Sequence, residues 1–158
     1  MNTGIISSRY ARALLLMVQE DGNGARVFAQ ARALLDPSGE IPSKLEPELE
    51  RLVIVLRNNR RTDYLKFVLA AFVRQYCEAE NICLAHVTSC IPSGELASRV
   101  KEILASGTGK EVLVEEEVDP SLVGGFIVKA DDMVLDASVR GRLAVIKRQF
   151  EQKNKRII

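Results

Sequence analysis

The sequence predicts an α+β chain: an amino-terminal antiparallel helical bundle over residues 1–80, then a small α/β domain over 81–158 with a mixed sheet and two helices. Three observations predict it. Apolar residues recur at helical spacing through the first half, near Asn81 the pattern changes to short β-rich runs, and those runs alternate with two helical stripes around a hairpin signal. A length of 158 residues permits one domain or two small ones, and 47% apolar with 27% charged residues can bury a core and stay soluble.

The first helix covers residues 5–19, where Ile6, Tyr10, Ala13, Leu14 and Met17 recur at helical spacing. Ala11, Leu15 and Val18 widen the stripe to roughly 200°, against about 100° for a surface helix. That arc is too wide for a helix packed on one side only. The same stretch carries Arg9, Arg12, two serines and no acid before Glu20, so composition alone fits an organelle transit peptide equally well.

Residues 24–35 form a second helix with Val27, Ala31, Leu34 and Leu35 inward, and "DPSGEIPSK", 36–44, is a loop by its prolines and glycine. Pro47 opens a third helix, because a missing N–H costs nothing in the first turn, and Glu48 and Glu50 face the positive end of its dipole. Leu49, Leu52, Val53 and Leu56 point inward, while Ile54 and Val55 fall outside that stripe. "NNRR", 58–61, is a turn. Thr62 can cap a fourth helix that runs to about residue 80, with Leu65, Val68, Leu69, Phe72 and Tyr76 inward.

"NICLAHVTSC" is a short strand. Ser93 caps a helix carrying Leu96, Val100, Ile103 and Leu104, which ends at Gly107, and "EVLVEEEV" is the next strand. "GGFIVKA" and "MVLDA" make a hairpin turning at Asp131–Asp132, and Ser138 caps a last helix whose apolar stripe is Val139, Leu143, Ile146 and Phe150.

Several chemistries are excluded. A net charge of +1 argues against general attraction to nucleic acid or anionic lipid, and no apolar run reaches the ~20 residues that span a bilayer. Cys77, Cys83 and Cys90 suit a reducing compartment, and with His86 they match no metal-ligand spacing. "SGTGKE" lacks the first glycine of a phosphate loop, where Leu104 stands, and its final hydroxyl, where Glu111 stands. "VEEEVD" alternates across a strand, with no second cluster to converge on, and there is no serine elbow. No cofactor, metal or catalytic residue is expected.

"RYARALL", 9–15, together with "DPSLVGGFIVKADDMVLDASVRGRL", 119–143, resembles the delta subunit of bacterial F-type ATP synthases, which is similar to the mitochondrial oligomycin-sensitivity-conferring protein. "AHVTSCIPS" and "TGKEVLVEEEVDPSL" resemble the linking segment and second strand of that family. The resemblance implies a non-enzymatic stator subunit, present once per complex. Its helical domain would grip the amino-terminal helix of an α subunit, and its second domain the peripheral-stalk b subunits. It would lie on the cytoplasmic face of the bacterial inner membrane, without inserting and without binding nucleic acid.

By family position, Tyr10, Ala13, Arg51 and Val55 would line the groove for the α-subunit helix, and Arg140 and Arg142 could meet acidic stalk residues. The family's bundle usually has six helices, whereas about four precede residue 80, and Ala137 stands where the family often has glycine. With the first helix accounted for, the transit-peptide reading loses and a bacterial origin is expected. A rival reading is a small RNA- or ribosome-associated protein that uses Arg57, Arg60 and Arg61.

Overall fold

The computed structural model describes residues 3–36, 44–131 and 133–154, so most of the 36–44 loop and Asp132 of the hairpin turn lie outside the described residues. The chain divides into two compact units, Met1–Glu80 and Asn81–Ile158.

The first unit contains α1 (Thr3–Asp21), α2 (Gly24–Leu35), α3 (Pro47–Asn58) and α4 (Leu65–Ala79), with a short 3-10 turn at Thr62–Tyr64 leading into α4. Their core is made of Ala11, Leu14 and Val18 from α1, Val27, Phe28 and Ala31 from α2, Leu49, Leu52 and Leu56 from α3, and Val68, Leu69 and Phe72 from α4. Phe28 stacks on Tyr76 with ring centroids 4.7 Å apart, and Phe72 lies 5.9 Å from the same ring. The inward stripe of α1 therefore differs from the expected one. Ser7, Ala11, Leu14 and Val18 are buried, while Ile6, Tyr10 and Met17 are half-buried and Ala13 is exposed.

The "NNRR" turn closes α3 in a Schellman motif. Arg60 N–H donates to the Arg57 carbonyl and Arg61 N–H to the Leu56 carbonyl, with Arg60 in the left-handed region at φ 55°. Glycine is the usual residue at such a position, because a Cβ there costs about 1–2 kcal/mol. Arg60→Gly is therefore expected to raise the stability of the helical unit by about 1 kcal/mol, read as a higher urea midpoint with an unchanged slope. Thr62 opens the 3-10 turn instead of capping α4, which begins at Leu65 after Tyr64 and has no side-chain cap.

The second unit contains β1 (Ile82–Ser89), α5 (Gly94–Thr108), β2 (Glu111–Val118), β3 (Phe126–Ala130), β4 (Met133–Asp136) and α6 (Val139–Asn154). The sheet order is β2-β1-β3-β4. β1 and β2 are parallel across the α5 crossover, and the β1–β3 and β3–β4 pairs are antiparallel, giving a mixed sheet. Cys83, Ala85, Val87, Val112, Val128 and Ala130 form its core, against Val100 and the half-buried Leu96 and Leu104 of α5. Ser93 accepts from Leu96 N–H and Ser138 from Gly141 N–H, so both predicted caps form. α5 ends one residue beyond Gly107, with Gly109 in the left-handed cap at φ 67°.

Two of the apolar stripes in this unit are left partly or wholly uncovered. Ile103 is exposed because α5 covers only part of its sheet face. Val139, Leu143, Ile146 and Phe150 of α6 are likewise exposed.

The β4–α6 junction is held by polar contacts. The Asp136 carboxylate accepts from Ser138 N–H at 2.9 Å, and these hydrogen bonds from Ser138 hold its pKa below the usual carboxylate range. A depressed folded pKa stabilises above the unfolded value, and that contribution is lost as the pH falls through the folded one. Asp136→Asn is therefore expected to flatten the acid limb of the stability–pH profile of residues 81–154, followed by circular dichroism.

Candidate partner-binding site

The width of the apolar arc on α1 has a structural counterpart. Its two sides are separate stripes at the same spacing. Ser7, Ala11, Leu14 and Val18 face the core, while Ile6, Tyr10, Ala13 and Met17 form a neighbouring edge that the unit leaves partly open. On α3, Leu49, Leu52 and Leu56 are buried, whereas Val55 remains 43% exposed and Arg51, one turn earlier, is exposed.

The two helices are tied at this edge by a bond that sequence reasoning missed. Arg61 Nη1 donates to Tyr10 Oη at 3.2 Å, linking residues 51 positions apart. The Schellman turn makes this possible by folding Arg61 back from the end of α3. Tyr10 is thus brought to the carboxyl end of α3, the end that carries Val55. Arg51 forms no ion pair among the described residues, so its guanidinium is available on this edge. The pairing of Arg61 with Tyr10 also splits the Arg57–Arg60–Arg61 cluster, since one of its three cations already has a partner.

In the second unit, the half of the sheet that α5 leaves open forms an apolar groove of about 710 Å3. Met133 and Leu135 pair with Ala130 and Val128, which puts them on the α5 side of the sheet. Ile103 of α5 forms the opposite wall, and Phe126 and Val128 the floor. Arg140 and Arg142 are exposed at the start of α6, which also carries the open stripe of Leu143, Ile146 and Phe150.

The doubled glycine is part of the frame. A Cβ on Gly125 would lie 2.4 Å from the Ala137 carbonyl oxygen and 2.9 Å from Ser138 Cα, so the β3 entry passes close against the backbone that leads into α6. On Gly141 a Cβ would meet the Asp136 carboxylate at 2.7 Å. Elsewhere on the sheet, His86 Nδ1 lies 2.8 Å from a Glu115 carboxylate oxygen on the partly exposed face, where cross-strand register places them opposite each other. No group of His, Cys, Asp and Glu that could hold a metal occurs among the described residues, and none of their helices is long and apolar enough to cross a membrane.

Comparison with known proteins bears on both units. The family model described as "ATP synthase delta (OSCP) subunit" matches residues 29–150. The chain is 30% identical to the ATP synthase subunit delta of Phocaeicola vulgatus, with both chains covered completely. That comparison runs over 185 positions, so the relative carries residues this chain lacks. It is 32% identical to the ATP synthase subunit delta of Desulfitobacterium hafniense, over 95% of this chain and 98% of the relative. Among solved structures, a chain of the Toxoplasma gondii mitochondrial ATP synthase hexamer shares the fold, with a TM-score of 0.60 and 19% identity over 91% of this chain and 96% of that one. With a family match over most of its length and full-length relatives of the same kind, the chain belongs to the ATP synthase delta (OSCP) subunit family, non-catalytic peripheral-stalk components of the F-type ATP synthase.

Proposed function

We propose that this chain is the stator link that holds the catalytic head of the synthase to its peripheral stalk. Its helical unit, residues 1–80, takes the amino-terminal helix of an α subunit along the edge formed by Tyr10 and Ala13 of α1 and Arg51 and Val55 of α3. Its second unit, residues 81–158, engages the b subunits. One copy serves each complex, on the cytoplasmic face of the bacterial inner membrane. The observation that carries the reading is the second apolar edge of α1. It runs parallel to the core stripe at helical spacing, yet the unit's own helices leave it partly open. An amphipathic helix laid along such an edge buries apolar surface that intramolecular packing does not use.

The second half of the reading rests on the groove between α5 and the β3–β4 hairpin, together with the basic start of α6. An apolar groove with Arg99 in its lining, together with the exposed Arg140 and Arg142 of α6, suits an amphipathic stalk helix with acidic residues on its polar side. A static link needs no catalytic group. It needs two faces that bind at once and a frame stiff enough to carry torque between them.

An NMR titration of the full chain with the amino-terminal peptide of its own organism's α subunit tests the first half. Saturable shifts centred on Tyr10, Ala13 and Val55 are the expected result. A folded chain that shows no shifts there at millimolar peptide overturns the helix-in-groove reading, and RNA titration of Arg57, Arg60 and Arg61 then becomes the next experiment.

A further inference from the structure

We propose that the helical unit carries a second docking site, in the cleft between the first turns of α1 and the first half of α4, for an acidic amphipathic helix of a partner polypeptide. The cleft has a volume of about 780 Å3. Its floor is made of small residues, Gly4 and Ser7 from α1 and Ala70 and Ala71 from α4, and its rim carries Arg60 and Arg74. The site differs from the Tyr10–Val55 edge. Gly4 and Ser7 lie on the core side and far flank of α1, away from the stripe of Ile6, Tyr10, Ala13 and Met17.

Three observations point to an occupant. Ser7 is only 2% exposed and lines the cleft, yet its hydroxyl has no hydrogen-bond partner among the described residues. A buried hydroxyl left unpaired is costly, and a partner polar group entering the cleft would satisfy it. Phe67 is 59% exposed at the cleft wall, a large apolar surface that the unit's own packing leaves uncovered. Arg60 is held on the rim by a left-handed backbone that glycine would adopt more readily.

Charge selects the class of partner. The two arginines face a single acid among the lining residues, Asp63. The only ion pair of Arg74 among the described residues is a loose one, 4.0 Å to an exposed Glu78. The first turn of α1 carries no acidic residue, so nothing there offsets the positive end of that helix. Carboxylates are therefore favoured. Shape selects a helix over a free anion: a floor of glycine, serine and two alanines admits close approach of a helix, and Phe67 offers it an apolar contact. Phosphodiester chains fit less well, because only two cations are available to release counterions.

The test is an NMR titration of the full chain with a synthetic helical peptide of leucine and glutamate, and with the same peptide carrying lysine for glutamate. Saturable shifts at Gly4, Ser7, Ala70 and Ala71 are expected with the glutamate peptide. Binding there should be at least about tenfold weaker with the lysine peptide. The double reversal Arg60→Glu with Arg74→Glu should weaken binding by about tenfold or more, while Arg57→Glu, an equal charge change outside the cleft, leaves it unchanged. All three arginines are exposed, so these variants are expected to fold, which circular dichroism checks. Ser7→Ala should fold and bind the peptide several-fold more weakly. Equal affinity for the two peptides, or shifts confined to the Tyr10–Val55 edge, overturns the proposal. So does tighter saturation of the cleft by a single-stranded oligoribonucleotide, which would make it a nucleic-acid site.

Discussion

Val55→Asp is expected to weaken binding of the α-subunit amino-terminal peptide by about 30- to 100-fold while leaving the helical unit folded. The argument starts from where Val55 lies on α3. The core stripe of that helix is Leu49, Leu52 and Leu56, and Val55 stays outside it at 43% exposure. A charge there meets water in the free protein, and the helix propensities of valine and aspartate are similar. In the complex the same position would be covered. Burying a valine contributes about 1.5–3 kcal/mol, and a carboxylate trapped in an apolar contact adds a desolvation penalty. Isothermal titration calorimetry reads the affinity, and thermal unfolding checks the fold. Leu52→Asp is the contrasting variant: it should unfold the unit, because that side chain is buried. An unchanged affinity for Val55→Asp would remove α3 from the docking surface and leave only the α1 edge.

That Val55 lies off the core stripe was legible from helical periodicity, while its assignment to a groove came from the family resemblance. A stripe wider than one packing partner can use was visible in residues 5–19, and Val55 fell outside the core stripe of its own helix. The caps at Ser93 and Ser138 and the hairpin were legible because each is encoded within a few residues, and the order of strand, helix, strand, hairpin and helix because the patterns alternate along the chain.

Features set by non-local or unusual geometry were not. The bond from Arg61 to Tyr10 joins residues 51 apart, and no local pattern announces it. The Schellman turn was hidden because arginine stands where glycine would have signalled it. The apolar stripes of α5 and α6 were legible as stripes, but what covers them was not. A stripe shows that something must cover it, but not whether the chain itself does so. Ile103, Leu143 and Phe150 are exposed, and a partner surface and a core surface share one sequence pattern. Arg60 shows the opposite conflict. The substitution that should stabilise the turn also removes a rim cation of the second cleft, so Arg60→Gly is expected to gain stability while losing acidic-peptide binding.

Gly125→Val is expected to destabilise the second unit by about 3 kcal/mol or more, a large share of the 5–15 kcal/mol typical of a folded protein. Gly125 has φ 83°, a region that costs an ordinary residue about 1–2 kcal/mol and a β-branched one more. The steric term adds to it. The Ala137 oxygen stands 2.4 Å from the added Cβ, and it belongs to backbone held on both sides. Ala137 N–H donates to the Phe126 carbonyl and Val139 N–H to the Gly124 carbonyl, each at 2.9 Å, so the α6 junction cannot retreat without breaking the β3 ladder or the helix start. Gly107→Ala is the control, with nothing within 4 Å of its added Cβ and a helical position where alanine is preferred.

Hydrogen exchange of the full chain separates the two regions. Amides of residues 81–154 should lose protection in Gly125→Val, and those of α1 to α4 should keep it. The functional consequence follows from the proposed division of labour between the units. Such a chain should still bind the α-subunit peptide through Tyr10 and Val55 but fail to hold the stalk, so it would sit on the head without coupling it. Retained protection across 81–154 would mean that the close approach at Ala137 relaxes at little cost. The paired glycines would then be a loop of convenience, not the hinge pin between sheet and last helix.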